Sequence, residues 1–320
     1  MNTPMLNTSA GLEGWYQLTI RDVATGKITK QTKPFKNLIT NSGLDYFFIG
    51  FAGPYGIPQC LQGAYVGTGT TAPAVTDTTM TTLLASVNSS NGASSPMTGW
   101  VYVAAAGSVP PYWTSTGTYT FPAGSATGTL SEVGIGGWIS TSPNYILQSH
   151  ALIVDGTGTP TTITVLSTEQ LTLTYTLNLY WNTTIQTGTV SISGVVYNLQ
   201  WLPVTINVPS GKPASNFGNY FAYFTLQGYN GSLGTITTAP TGATGSNNGT
   251  GSLAPYSVGS YFQQVTYTCD VNHLNFTGGI TVLTIESSFH KHQIGFTPAI
   301  PKDNTYTFTF IVNMALARYP

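Results

Sequence analysis

Positive charge is missing from most of this chain: from position 37 to position 211 there is not one lysine or arginine. Charged residues of either sign make up 6% of its 320 residues, against roughly 25% in ordinary soluble domains. A free-standing soluble domain normally keeps copies apart by spreading charge over its surface, and this sequence has little to spread. The formal net charge of −1 gives no field that would gather nucleic acid or an anionic membrane surface. Two cysteines, Cys60 and Cys269, are too few for a disulfide framework or a cysteine zinc site, so buried free thiols are expected. No apolar run approaches the ~18 residues of a membrane helix. The first eleven residues lack a basic segment followed by an apolar stretch, so synthesis in a cytosol without a secretory leader is expected.

Chemical motifs are scarce too. There is no Walker loop, no nucleophile elbow and no C-x-x-C pair. Gly67-Thr-Gly-Thr-Thr-Ala72 has the letters of a dinucleotide-binding glycine run, but Pro73 follows at once and no helix opens there, so it reads as a turn. Among the ten acids, no two stand closer than Glu13 and Asp22, and a pair flanking a glycosidic bond is not visible. Glu132, on a strand after a glycine turn, is expected to be buried and hydrogen-bonded. His290-Lys-His292 has the i, i+2 spacing that puts two imidazoles on one face of a strand. His290 and His292 are therefore weak metal candidates, with His273 the one further histidine in that half, and no cofactor is expected. Five of the nine basic residues (Arg21, Lys27, Lys30, Lys33 and Lys36) fall within 21–36. They make a local basic patch that reads first as a solvated strand pair.

What the chain does have is hydroxyls, aromatic rings and turns. Threonine is about one residue in six, beside 36 glycines and 19 prolines. Hydrophobic content of 41% and aromatic content of 12% supply ample apolar surface to offset the ordering entropy of folding. Period-two alternation dominates, the mark of half-buried strands. It shows at Trp15–Arg21, Val101–Val103, Thr118–Phe121 and Thr305–Met314. In the longest case, Gln170–Trp181, it puts Leu171, Leu173, Tyr175, Leu177 and Leu179 on one face. Helix is expected only in short pieces, at 41–50 and at 77–86, the latter from Asp77 as cap and Met80, Leu83 and Leu84 at helical spacing. The expected fold class is all-β, as two β-sandwich-like domains with a few short helices. An N-terminal domain would cover 1–185 and a C-terminal one 186–320. The second half echoes the first: Tyr119-Thr-Phe leads to Gly128-Thr-Leu, and Tyr267-Thr-Cys leads to Gly279-Ile-Thr. Thr71-Ala-Pro73 and Thr238-Ala-Pro240 hold comparable places, so divergent duplication is one reading.

Four segments in order resemble a group of tailed-bacteriophage virion proteins of the tail and tail-fibre region. They are Asn37-Leu-Ile-Thr-Asn-Ser-Gly-Leu-Asp45; Val66-Gly-Thr-Gly-Thr-Thr-Ala-Pro73 followed by Asp77; Tyr119-Thr-Phe leading to Gly128-Thr-Leu-Ser-Glu-Val-Gly-Ile-Gly136; and Ala151–Val165 running into the strand that ends at Trp181. The resemblance covers about residues 35–181 and implies a non-enzymatic virion component, made in the bacterial host cytoplasm. It implies assembly with copies of itself and with other virion proteins, and it carries no catalytic residues. Two alternatives stay open, a capsid decoration protein and a receptor-binding fibre or spike whose partner is a host surface glycan. For the latter, Trp100, Tyr112, Trp113 and Trp138 and the loops at 88–98 and 241–252 are the candidate contacts. A depolymerase is the enzyme alternative, disfavoured by the sparse acids.

Overall fold

The computed structural model describes residues 5–48, 61–88, 97–138, 145–192, 194–204, 225–247, 251–286, 291–305 and 307–320. Among them the one α-helix is α1 (Asn41–Tyr46), and everything else regular is strand. One sheet holds β1 (Met5–Asp22), β2 (Ile28–Gln31), β3 (Phe35–Lys36), β7 (Val101–Val103), β8 (Tyr112–Thr120), β13 (Glu169–Trp181), β18 (Ser252–Leu253), β19 (Phe262–Cys269) and β22 (Phe308–Arg318). A second holds β4 (Leu38–Ile39), β5 (Gly63–Gly67), β6 (Leu83–Asn88), β10 (Glu132–Trp138) and β11 (Tyr145–Leu152). A third holds β14 (Gln186–Ile192), β15 (Val195–Pro203), β16 (Thr225–Tyr229), β17 (Thr244–Asn247), β20 (Ile280–Glu286) and β21 (Lys291–Ile300). A small ribbon pairs β9 (Gly128–Leu130) with β12 (Ile163–Val165).

The strand order repeats. The second sheet runs β4-β11-β10-β5-β6, and the third contains β15-β21-β20-β16-β17 in the same arrangement. In the large sheet, β7-β8-β13 on one side answers β18-β19-β22 on the other. Each half is thus two sheets face to face, the arrangement of a β-sandwich. The large sheet is common to both. β1 joins them, antiparallel to β13 from Asp22↔Glu169 to Ala10↔Trp181 and parallel to β22 from Met5↔Ile311 to Leu12↔Arg318. Strands from both sides of the boundary expected at 185/186 are therefore hydrogen-bonded through one central strand.

Alternation explains which face packs. Leu171, Leu173, Tyr175, Leu177 and Leu179 of β13 are all buried, as are Leu12, Tyr16, Leu18 and Ile20 of β1. Tyr16 reaches from this face to the second sheet, its hydroxyl 2.5 Å from Ser149 Oγ. On the other side, Phe296 and Phe310 meet edge-on at 6.3 Å across the third and large sheets. Helix α1 opens where expected: Thr40 caps it, its Oγ1 accepting from Gly43 N at 3.0 Å and donating to the Leu147 carbonyl at 2.7 Å.

The helix expected at 77–86 is not formed; residues 83–88 are strand β6, paired with β5. The amides that would begin the helix are taken by distant groups. Met80 N donates to the Tyr145 hydroxyl at 3.1 Å, and Thr81 N and Thr82 N donate to the Glu132 carboxylate at 3.2 and 2.7 Å. Threonines at 78, 79, 81 and 82 also favour extended backbone.

Candidate functional site

The loop between β5 and β6 is held by a buried ionic cluster. Glu132, the first residue of β10, points under it with no exposure to solvent. Its Oε1 accepts from Gly69 N at 3.0 Å and Thr82 N at 2.7 Å; its Oε2 accepts from Thr81 N and lies 2.9 Å from His150 Nε2. The other ring nitrogen of His150 is 2.7 Å from Asp77 Oδ2, which also receives Ala74 N at 2.8 Å. A Cβ on Gly67 or Gly69 would stand 2.4 or 2.5 Å from Glu132 Oε1. Glycine at both places is what lets the carboxylate come this close.

Burial opposes charge on Glu132, but His150 and the Thr82, Thr81 and Gly69 amides outweigh it and hold its carboxyl at about 2. For His150, burial favours the neutral ring, yet the flanking Glu132 and Asp77 raise its pKa above the usual imidazole value. Both ring nitrogens are engaged, and neither Glu132 nor His150 reaches water. The cluster fastens a loop; it offers no open face to a substrate.

The second half has an uncharged counterpart. Gln293, on β21 where His150 is on β11, is buried beneath the loop that follows β16. Its Oε1 accepts from Gly234 N and its Nε2 donates to the Thr235 carbonyl, each at 2.7 Å. Thr71-Ala-Pro73 and Thr238-Ala-Pro240 lie in these two corresponding loops.

The expected burial of Glu132 is observed, and folding joins it to Asp77, which the sequence marked only as a helix cap. No local pattern singles out His150, which follows Gln148 and Ser149 in the almost wholly buried strand Tyr145–Leu152. The histidine pair fares differently. His290 lies outside the described residues. His292 is buried, edge-on to Trp181 at 4.9 Å and 3.2 Å from Thr8 Oγ1, and burial holds its pKa at about 3. His273 is on an exposed turn, 2.7 Å from Asp270. Among the described residues no group of three or more His, Cys, Asp or Glu side chains is placed to hold a metal ion. Cys269 is buried, and Cys60 is outside the described residues. In the basic patch, Lys30 pairs with Glu169 at 3.2 Å and Lys36 with Glu13 at 2.7 Å. Trp100 and Trp113 are core residues, while Tyr112 is half-buried. Positions 89–96 and 248–250 of the two candidate loops, and the side chain of Trp138, are outside what is described.

The sheet edges form a distinctive surface of their own. The strands that end the sheet paths are β7 and β18, β4 and β6, and β14 and β17, while β2 and β3, off the path, pair only with β1 and carry Lys30 and Lys36. Val-Tyr-Val, Ser-Leu, Leu-Ile, Leu-Leu-Ala-Ser-Val-Asn, Gln-Thr-Gly-Thr-Val-Ser-Ile and Thr-Gly-Ser-Asn contain no charged residue and no proline. Large apolar side chains accompany them in the open, among them Val101, Leu83, Leu84, Ile185, Val195 and Val196. No helix among the described residues is long and apolar enough to cross a membrane. No family model, curated protein or solved structure matches the chain.

Proposed function

We propose that this chain is a structural component of a tailed-bacteriophage virion, in the tail region, assembled symmetrically with copies of itself and with neighbouring virion proteins. The observation that carries the reading is the chemistry of the edges. A sheet edge is a row of free N–H and C=O groups, and proteins that live alone defend it with lysine, proline or charge. Here the six strands that end the paths of the three larger sheets lack those defences, and among edge strands only the short β2 and β3 beside β1 carry lysine, Lys30 and Lys36. Low charge removes repulsion between copies, and threonine and tyrosine supply hydrogen bonds and apolar contact from the same surface.

The sequence resemblance points to the same reading. Of its residues, the loop 66–73, Asp77 and Glu132 meet around His150, which lies just before its fourth segment. The work is mechanical: a rigid double sandwich whose loops are latched and whose edges are covered by neighbours. Mass spectrometry of density-purified particles tests it. The chain is expected in fixed copy number in intact particles, at the tail by immunolabelling. Its absence from particles overturns the proposal, and label confined to the capsid surface supports the decoration alternative instead.

A further inference from the structure

The outer face of the large sheet, opposite the core, holds a cleft of about 420 Å³. That is within the ~300–1,000 Å³ of small-molecule sites. Outward positions of β1 and β13 build its floor. Glu13 pairs directly with Asn178, and Gly11 with Tyr180. Trp15, Tyr112 and Tyr319, each half-buried, stand around the buried Tyr180. Tyr319 stacks on Tyr180 with ring centres 3.8 Å apart and planes at 14°, and Tyr112 leans on Tyr180 at 5.2 Å.

The arrangement is fixed in advance. A Cβ at Gly11 would come within 2.9 Å of the Tyr319 ring, so glycine there makes room for the stack. The Tyr319 backbone is tied to Leu12 O at 2.8 Å. The facing wall is the tip between β7 and β8, closed by reciprocal Ala106–Val109 backbone hydrogen bonds of 3.1 and 3.0 Å.

The polar groups are few and converge. Glu13 Oε1 is 2.7 Å from Lys36 Nζ; its Oε2 accepts from the Tyr180 hydroxyl at 3.0 Å and from Asn178 Nδ2 at 3.4 Å. Burial opposes charge on Glu13, but Lys36, Trp15, Tyr180 and Asn178 prevail and keep its pKa below the ordinary value. Asn178 Oδ1, beneath the cleft, is buried and accepts no hydrogen bond. With Lys36 beside Glu13 the site is close to neutral. Glu13 is the one acid among the described residues that line it, and cleavage of a glycosidic bond uses two.

We infer that this cleft binds a neutral pyranose ring of a saccharide. Aromatic faces carry negative quadrupole potential that attracts the slightly positive C–H bonds on one face of a sugar ring. The Glu13 carboxylate, held in place by Tyr180 and Asn178, offers an acceptor to its hydroxyls. A charged ligand is disfavoured by the balanced ion pair, and a purely apolar one by the carboxylate. The inference is independent of the virion proposal, since a sugar site would function on any scaffold.

Ligand-observed saturation-transfer NMR on the full chain tests it, with methyl glucoside, galactoside and mannoside, N-acetylglucosamine and their disaccharides as probes and sialyllactose as the acidic comparison. At least one neutral probe should bind through the C–H bonds of one ring face. Trp15→Ala and Tyr112→Ala should each weaken it about tenfold, and Trp15→Phe much less. Val109→Trp fills the cleft from the loop tip, leaves both central strands untouched and should abolish binding, with circular dichroism unchanged. No binding by any neutral probe, tighter binding of sialyllactose, or binding indifferent to Val109→Trp overturns the inference. So does a Val109→Trp chain that changes its assembled mass while binding sugar as before, which would make the cleft a contact between copies.

Discussion

Glu132 and His150 face each other diagonally across the β10–β11 pair, Oε2 to Nε2 2.9 Å, with neither group open to water. Removing one partner of such a pair leaves the other charged, buried and unsatisfied, at a cost of about 3–5 kcal/mol. Glu132→Gln also turns an amide N–H toward backbone donors that now share a carboxylate. Chemical denaturation should show a loss of about that size, with amide exchange at Thr81 and Thr82 quickening first. A change below about 0.5 kcal/mol, the range of ordinary surface substitutions, would show that the latch carries little of the stability.

The same pair sets a pH window. Glu132 titrates at about 2, below its usual 4.5, so its contribution is full above 4.5 and fades as the pH falls toward 2. His150 is raised above its usual 6.5, so its contribution is full below 6.5 and fades as the pH rises through the raised value. Protection factors for the Thr82 amide should therefore peak between those limits. A flat profile from acid to alkaline pH would contradict the assignment.

Gly67→Ala and Gly69→Ala each push a methyl group against the Glu132 carboxylate, and at Gly67 also against the Thr82 carbonyl at 2.4 Å. Gly158→Ala adds a methyl with nothing within 4 Å and meets only the strain of its φ of +88°. The first two should cost about 2 kcal/mol or more and the third about 1 kcal/mol, by thermal or urea unfolding. Equal effects at all three would remove the steric argument.

On β13, Leu177→Ala should cost about 2–5 kcal/mol, because the side chain is fully buried. Thr174→Ala, on the opposite face and half-exposed, should cost far less in the isolated chain. A large effect at Thr174 in the assembled form alone would locate a subunit contact on that face.

Much of this architecture is legible in the sequence because period-two alternation is a local property. The buried face of β13 and the cap at Thr40 are set by residues next to one another. The failure at 77–86 has the opposite cause: Met80, Leu83 and Leu84 keep helical spacing, but Glu132, far along the chain, claims the Thr81 and Thr82 amides that would donate the first intrahelical bonds. His150 was hidden for the same reason, since its partners are 18 and 73 residues away. The parallel pairing of β1 with β22 joins the two ends of the chain, which no local pattern announces. That pairing also brings Tyr319 to the cleft beside Glu13.

The most direct test of the central claim is the mass of the full chain in solution, by sedimentation and mass photometry over a wide dilution range, beside a variant with lysines on the open edge, Thr187→Lys with Thr189→Lys. Both positions are exposed on β14. The account predicts a discrete symmetric multimer that survives dilution, each copy burying well over ~1,000 Å², and a variant that keeps its β circular dichroism while falling to smaller species. A wild-type chain that is monomeric at every concentration, or a multimer untouched by lysines on β14 and on the other terminal strands in turn, would contradict it.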